Sequence, residues 1–189
     1  IAKLSATKYT YDGKKKTPTV TVTDSSGKKL QKDTDYTLSY SSGRTKVGTY
    51  KVKVNLKGNY SGSQTYSYTI IPAKTKVTAT QSTSSIKLTW TAVTDADGYR
   101  VYLYNERSGK WETVIKSTKA TTYTFKSLDP GTAYKYSVKP YTKDGSTIWG
   151  DSTRITVTTN PLKPTLSSAE SAQKKTVTLK WNKIDGATG

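Results

Sequence analysis

Apolar and polar residues alternate in many short stretches of this chain, and no stretch has the three-to-four-residue apolar spacing of a helix. The run YKVKVNL (50–56) places Tyr, Val and Leu on one face and Lys and Asn on the other. The runs YTLSY (36–40) and YSYTI (66–70) do the same. This period of two is typical of strands that are buried on one side only. Turn-forming clusters such as DSSGK and KGNYSG separate the runs, so the pattern predicts an all-β fold of tandem antiparallel sandwiches.

Breaks in the pattern predict the domain organisation. The stretch IIPAKTK (70–76) has a Pro directly after a strand, which indicates that a first domain covers 1–72. Seven further short strands are predicted in 73–160, which is the number in an immunoglobulin-like sandwich. The first domain is small for an all-β core without disulfides, and we expect paired Tyr rings to supply much of its buried area.

One motif occurs twice, 91 residues apart. The sequences WTAVTDADG (90–98) and WNKIDGATG (181–189) share the pattern W-x-x-[V/I]-x-x-A-x-G, and each follows a strand-like run. Residues 161–189 are therefore predicted to be the first two strands of a further domain in a tandem array. Two strands alone are marginal in water. We expect this segment to pack against the second domain or to pair with a neighbouring chain through its open edge.

Composition limits the chemistry that the chain can perform. The chain has 31 Lys and Arg, 13 Asp and Glu, no Cys and no His, for a net charge of +18. Without Cys there are no disulfides or thiolate metal sites, and without His a Ser–His–Asp triad cannot form. No apolar run approaches the ~20 residues of a membrane span. We therefore expect no enzyme activity, cofactor or metal site. The evenly spread basic residues either attract anionic polymers or solvate the strand faces.

Acidic pairs and an isopeptide crosslink are further candidate chemistry of the chain. Asp95 and Asp97 are the closest acidic pair of the second domain, and Asp33 and Asp35 form a similar pair in the first. Paired carboxylates could serve glycoside hydrolysis or calcium binding, but all four residues lie where turns favour Asp, and we interpret them as turn residues. A Lys–Asn or Lys–Asp isopeptide bond is an alternative source of stability, and intact mass would reveal it.

Exposed aromatic and basic residues are the candidate binding site. On the run YRVYL the alternation turns Tyr99 and Val101 inward and leaves Tyr102 and, beyond it, Tyr104 outside. Trp149 is predicted in the loop before the last strand of the second domain. A second set of candidates could hold an anion near these rings: Lys143 and Arg154. The alternative is that Trp149 and Trp111 cover the sandwich edge or an interdomain joint.

The second domain resembles the fibronectin type III family over nearly its full length. The residues that carry the resemblance are Trp90, Tyr99, Val101 and the run LDPGTAYKYSV (128–138), which is similar to the family signature L-x-P-x-T-x-Y-x-x-x-V. The resemblance implies that Tyr134 is the corner tyrosine, with its hydroxyl bonded to nearby backbone. Residues 7–72 resemble the short immunoglobulin-like repeats of Gram-positive surface and secreted proteins, on runs such as VGTYKVKV and GNYSG.

These resemblances imply a function. The expected function is that of non-catalytic spacer and interaction modules in a bacterial cell-surface or secreted protein, with adhesion or cell-wall association as its role. The alternatives are the accessory region of a secreted carbohydrate-active enzyme and a module that binds polysaccharide or polyanion. The expected partners are other domains of the same parent chain, an anionic cell-wall polymer or polysaccharide, and a neighbouring chain paired through 161–189.

Overall fold

A computed structural model describes residues 1–184 and residue 187. The end of the predicted 161–189 segment, including the last Gly of the repeated motif, lies outside the described residues. All regular elements in the described part are strands, which confirms the all-β fold class. The strands are β1 (Ala2–Leu4), β2 (Lys8–Thr10), β3 (Val20–Val22), β4 (Tyr36–Tyr40), β5 (Gly48–Leu56), β6 (Ser63–Ile71), β7 (Val77–Gln81), β8 (Ile86–Trp90), β9 (Gly98–Asn105), β10 (Lys110–Thr118), β11 (Thr122–Phe125), β12 (Ala133–Asp144), β13 (Ser146–Trp149), β14 (Thr153–Thr158), β15 (Leu166–Gln173) and β16 (Thr176–Trp181).

The first domain is a small sandwich built around tyrosine. Its two-stranded sheet β1-β3 covers a four-stranded sheet in the order β2-β6-β5-β4. The Tyr68 ring is completely buried, and the rings of Tyr9 and Tyr50 each lie 5.9 Å from it. The prediction that Tyr rings supply much of this core is confirmed. One strand pair differs from the predicted antiparallel arrangement: β2 runs parallel to β6. The chain crosses from the two-stranded to the four-stranded sheet between β1 and β2.

The second domain is a sandwich of a three-stranded sheet, β11-β8-β7, and a five-stranded sheet formed by β10, β9, β12, β13 and β14. Its core is apolar and continuous: Ile86, Leu88, Trp90, Tyr99, Val101, Phe125, Tyr136, Val138 and Val157. The Trp90 and Tyr99 rings meet edge-on at 5.7 Å. The backbone N–H of Asp129 donates to Tyr134 Oη at 2.9 Å, which confirms the corner tyrosine.

A buried joint connects the two domains. Val47 of the first domain packs with Ile71, at the end of β6, and with Ile148 of β13. Pro72 is fully buried, and its carbonyl oxygen lies against Gly150. The linker passes from one domain to the other at Pro72, beside these three apolar side chains. The packing and the fixed φ of Pro restrict bending between the domains.

The hairpin β15-β16 is uncovered. Leu166 is 54% exposed, Val177 66% and Trp181 62%, although these residues form the face that a sandwich would bury. The expectation that 161–189 packs against the second domain is therefore wrong for the described residues. The physical reason is that the second domain's two sheets already cover each other, so neither offers a free apolar face. Pairing with a neighbouring chain stays a prediction.

We expect removal of 161–189 to leave the thermal midpoint of the remaining chain unchanged, because the exposed hairpin contributes no core contacts to it. The same deletion should reduce self-association, since an apolar face and an open strand edge are removed together. Calorimetry and light scattering across a concentration series measure the two effects. Equal scattering by both forms at every concentration would argue against intermolecular pairing.

Tyr136 gives the second domain a pH-dependent stability. Its side chain is completely buried and its hydroxyl has no hydrogen-bond partner among the described residues. Burial raises the pKa of Tyr136 well above the ordinary 10.0, so the folded domain keeps a proton that the unfolded chain releases. Stability is therefore intact below pH 10.0 and falls as the pH rises above it, by about 1.4 kcal/mol per pH unit for this group.

We expect Tyr136→Phe to be neutral or slightly stabilising at pH 7, because the removed hydroxyl leaves no buried partner unpaired. Above pH 10 the variant should lose less stability than the unaltered chain. Urea unfolding at a series of pH values measures this difference. If the free energy of unfolding falls equally with pH in both proteins above pH 10, Tyr136 does not cause the loss of stability at alkaline pH.

Candidate functional site

The outward-facing side chains of β9, β10, β12, β13 and β14 form one surface, called here the outer face. Strand alternation buries Tyr136 and Val138, so their neighbours on β12 point outward. The register then fixes the rows of this face. Ser137 lies between Tyr102 and Arg154, Lys139 lies opposite Arg100, and Tyr104 lies opposite Trp111.

Two large rings of the outer face, Trp149 and Tyr104, lie beside cations. The Arg100 guanidinium lies 4.4 Å from the centre of the Trp149 ring, and Lys139 Nζ lies 5.3 Å from the same ring. Lys135 Nζ lies 5.1 Å from the Tyr104 ring. Such contacts are favourable by about 0.5–1 kcal/mol at exposed sites. The rings therefore hold the positive groups close to the sheet surface.

Arg154 meets the aromatic ring of a residue on a distant strand of the same sheet. Its backbone is on β14, yet its guanidinium lies 5.2 Å from the ring of Trp111 on β10, on the far side of β12 and β9. Ser137 points outward beneath this path and is only 4% exposed. The apolar stem of Arg154 thus covers sheet surface, while its charge stays at the surface.

The positive charges of the outer face are largely free of acidic partners. Lys135 Nζ is 2.9 Å from Glu106, whose hydrogen bond raises the pKa of this lysine. Among the described residues, no carboxylate lies within salt-bridge distance of Arg100, Lys139 or Arg154. Cations without such partners are free to attract an anion from solution.

A polar groove lies where the outer face meets the joint. Lys74, Lys139 and Arg154 line it, together with Gly150, Asp151 and Ser152. Its one carboxylate, among the residues that line it, is Asp151, and Lys8 of the first domain reaches Asp151 at 2.8 Å. The first domain therefore neutralises the acid of this groove and leaves it positive.

A second groove adjoins the first on the outer face, because its Arg100 lies directly opposite Lys139. It is lined by Arg100, Lys116, Ser117, Tyr141, Lys143, Thr147 and Trp149. Lys143 is thus placed beside Trp149, and the five sequence-predicted candidates all lie on or beside one sheet. Trp149 differs from its prediction, because it ends the short strand β13 and is half-buried against Tyr141 instead of standing in a loop.

Sequence reasoning missed two residues of this surface as candidates. The alternation that turns Tyr99 and Val101 inward also places Arg100 outside, but its position over Trp149 depends on the pairing of β12 with β13. Lys139 alternates with the buried residues of β12 in the run YKYSVKP, and this period of two was the available signal. Whether any of these residues contacts a ligand stays a prediction.

The acidic residues have structural roles here. Asp95 adopts φ 62° in its turn, and its Oδ2 accepts a hydrogen bond from the Val47 N–H of the first domain at 3.2 Å. Asp97 Oδ2 accepts the N–H of Lys143 at 2.6 Å. In 1–184 and 187, no three acidic, His or Cys side chains gather in a way that could hold a metal ion. This same part of the chain contains no helix able to cross a membrane.

Comparisons with known proteins identify both domains. Residues 71–158 match the fibronectin type III domain family, and residues 1–61 match the MBG domain family. The resemblance of the second domain to fibronectin type III is confirmed.

Relatives and solved structures were also found. Over 89 residues the chain is 40% identical to a poly(3-hydroxybutyrate) depolymerase of Ralstonia pickettii, which is 47% of this chain and 16% of that protein. The chain therefore matches only a small part of the depolymerase. A two-domain fibronectin type III segment of chicken tenascin covers 62% of this chain and 68% of its own, with 18% identity and a TM-score of 0.46. The FN5 domain of Drosophila Lar covers 48% and 98%, with 23% identity and a TM-score of 0.37.

Proposed function

We propose that this MBG and fibronectin type III pair is a rigid, non-catalytic spacer in an extracellular multidomain protein, where it holds flanking domains at a fixed separation. The observation that carries the proposal is the buried joint. A flexible tether would need no packing between its domains, whereas Val47, Ile71 and Ile148 form a shared apolar cluster here.

Polar contacts support the same reading of the joint. The Val47 N–H donates a hydrogen bond to Asp95, and Lys8 pairs with Asp151. Two polar contacts between the domains, in addition to the apolar cluster, resist separation of the joint. A single exposed ion pair would contribute little by itself.

The test of the spacer function is a distance distribution between the domains. The chain has no Cys, so Lys57→Cys and Lys126→Cys provide two unique, exposed labelling sites, one in each domain. Pulsed electron paramagnetic resonance between spin labels at these sites should give one narrow distribution. A broad distribution in the unaltered chain would contradict the proposal.

Gly150→Val provides a variant that should open the joint. A Cβ at Gly150 would lie 2.7 Å from Pro140 Cγ and 2.8 Å from the Pro72 carbonyl oxygen. Pro140 belongs to β12, so the linker residue Pro72 is the one that must move. The label distribution should broaden, whereas Ser146→Val, at an exposed position of the same hairpin, should leave it unchanged.

The accessory-region alternative has its own support, which is the 40% identity over 89 residues to a depolymerase. In that role the pair would set the distance between a catalytic domain and its insoluble polymer in a secreted enzyme. Sedimentation of the chain with poly(3-hydroxybutyrate) granules tests a direct contribution to polymer binding. If all the protein stays in the supernatant, the pair does not bind the polymer directly, and the accessory role is reduced to spacing.

A further inference from the structure

We propose that the outer face binds a linear polyol-phosphate polymer, such as a glycerol-phosphate chain, along a continuous strip of positive charge. This goes beyond the spacer function and does not depend on it. The strip runs from the groove at Lys116 and Lys143, through Arg100 and Lys139, to the groove at Lys74 and Arg154. We name these six residues the cationic strip.

Continuity of the strip follows from the strand register. Lys139 lines the polar groove at the joint and is directly opposite Arg100, which lines the second groove. Directly paired residues on neighbouring strands lie about 5 Å apart at Cα. The two grooves are therefore joined by adjacent cations, and this geometry suits an extended ligand better than a compact one.

The chemistry of the strip favours phosphate. Arg100 and Arg154 present planar guanidinium groups, which match phosphate oxygens in a two-point geometry that ammonium groups lack. Neither has a carboxylate partner among the described residues. Binding a polyanion therefore requires no existing ion pair of these two arginines to break.

The aromatic rings favour a polymer without rings of its own. A sugar or a base that stacked on Trp149 would compete with Arg100 and Lys139 for that ring, and one on Trp111 would compete with Arg154. Trp149 and Trp111 therefore serve as supports for cations instead of stacking platforms. Charge then supplies the affinity, so binding must weaken steeply with salt.

The first test removes three charges from the strip. The triple variant Arg100→Gln, Lys139→Gln and Arg154→Gln is compared with Lys76→Gln, Lys87→Gln and Lys126→Gln, which remove the same charge from exposed positions on or beside the opposite sheet. The probe is purified poly(glycerol phosphate), measured by calorimetric titration at several salt concentrations.

The strip variant should bind roughly 50-fold more weakly at about 0.15 M salt, and its log–log salt slope should be shallower by about 2. The control should bind like the unaltered chain apart from the small effect of net charge. Equal weakening by both triple variants would overturn the proposal, because it would show attraction to net charge alone. Circular dichroism confirms that each variant is folded.

The second test uses the ion pair at the joint groove and cannot be mimicked by unfolding. Asp151→Asn frees Lys8 and should tighten binding by about 4-fold, the value of one added cation. Lys8→Gln leaves Asp151 unneutralised and should weaken binding by a similar factor. No response to either change would overturn the participation of this groove.

A third comparison separates charge from stacking. Single-stranded DNA with the same number of phosphates should bind no more tightly than poly(glycerol phosphate). Tighter binding of DNA, lost in Trp149→Ala, would overturn the assignment in favour of a stacking site. No measurable binding of either polymer at low salt would overturn the proposal outright, while the label distances between the domains would still test the spacer.

Discussion

Trp90→Ala is expected to lower the free energy of unfolding of the fibronectin type III domain by about 3–5 kcal/mol. The Trp90 side chain is 3% exposed and packs edge-on against Tyr99 in the middle of the core. Its removal leaves a cavity that the core can close only in part, because the pairing of β9 with β12 holds the facing five-stranded sheet in register. Few single changes in this chain should cost more.

The chain supplies its own control for this substitution. Trp181 occupies the matching position of the repeated motif, at the end of β16, but is 62% exposed. Trp181→Ala should change the free energy of unfolding by no more than about 0.5 kcal/mol. Urea unfolding followed by circular dichroism measures both variants.

This pair of variants also tests the domain organisation. If the MBG domain folds independently, Trp90→Ala should split unfolding into two transitions, with the later one unchanged. Equal effects of Trp90→Ala and Trp181→Ala would show that residues 161–184 are covered in solution, contrary to their exposure in the structure.

Gly98→Ala is the second change with a large expected effect. A Cβ at Gly98 would lie 2.8 Å from both the Thr118 carbonyl oxygen and Tyr141 Oη, and 3.0 Å from Tyr141 Cζ. The carbonyl belongs to β10 and cannot move without disturbing the sheet edge. We expect a loss of about 1–3 kcal/mol, the usual cost of forcing extra atoms into a packed site.

The control for Gly98→Ala is Ala92→Val, which adds atoms at an exposed position of the same connection between β8 and β9. It should change stability by no more than about 0.5 kcal/mol. Thermal unfolding measures both. If Gly98→Ala is as stable as the unaltered chain, Tyr141 and Thr118 must have more freedom than the structure gives them. Gly98 ends the repeated motif, so this result also explains why the motif requires Gly there.

The alternating pattern was sufficient to predict most of the fold. Val52, Val54 and Tyr68 are buried as their spacing required, and Tyr99 and Val101 point inward as predicted. The reason is physical: a strand exposes its side chains to opposite faces in strict alternation, so a half-buried strand records its orientation in sequence. The fibronectin type III motif added the corner tyrosine.

The sequence by itself determined the all-β fold class and the outward positions of Tyr102 and Tyr104. It also excluded any site that needs His or Cys. Only the tertiary structure decided which cations meet which rings, how Lys8 neutralises Asp151, and that the β15-β16 hairpin stays uncovered. These contacts join residues on different strands or different domains, up to 143 positions apart. A periodic pattern reports the face of a strand but contains no information on which distant strand lies beside it.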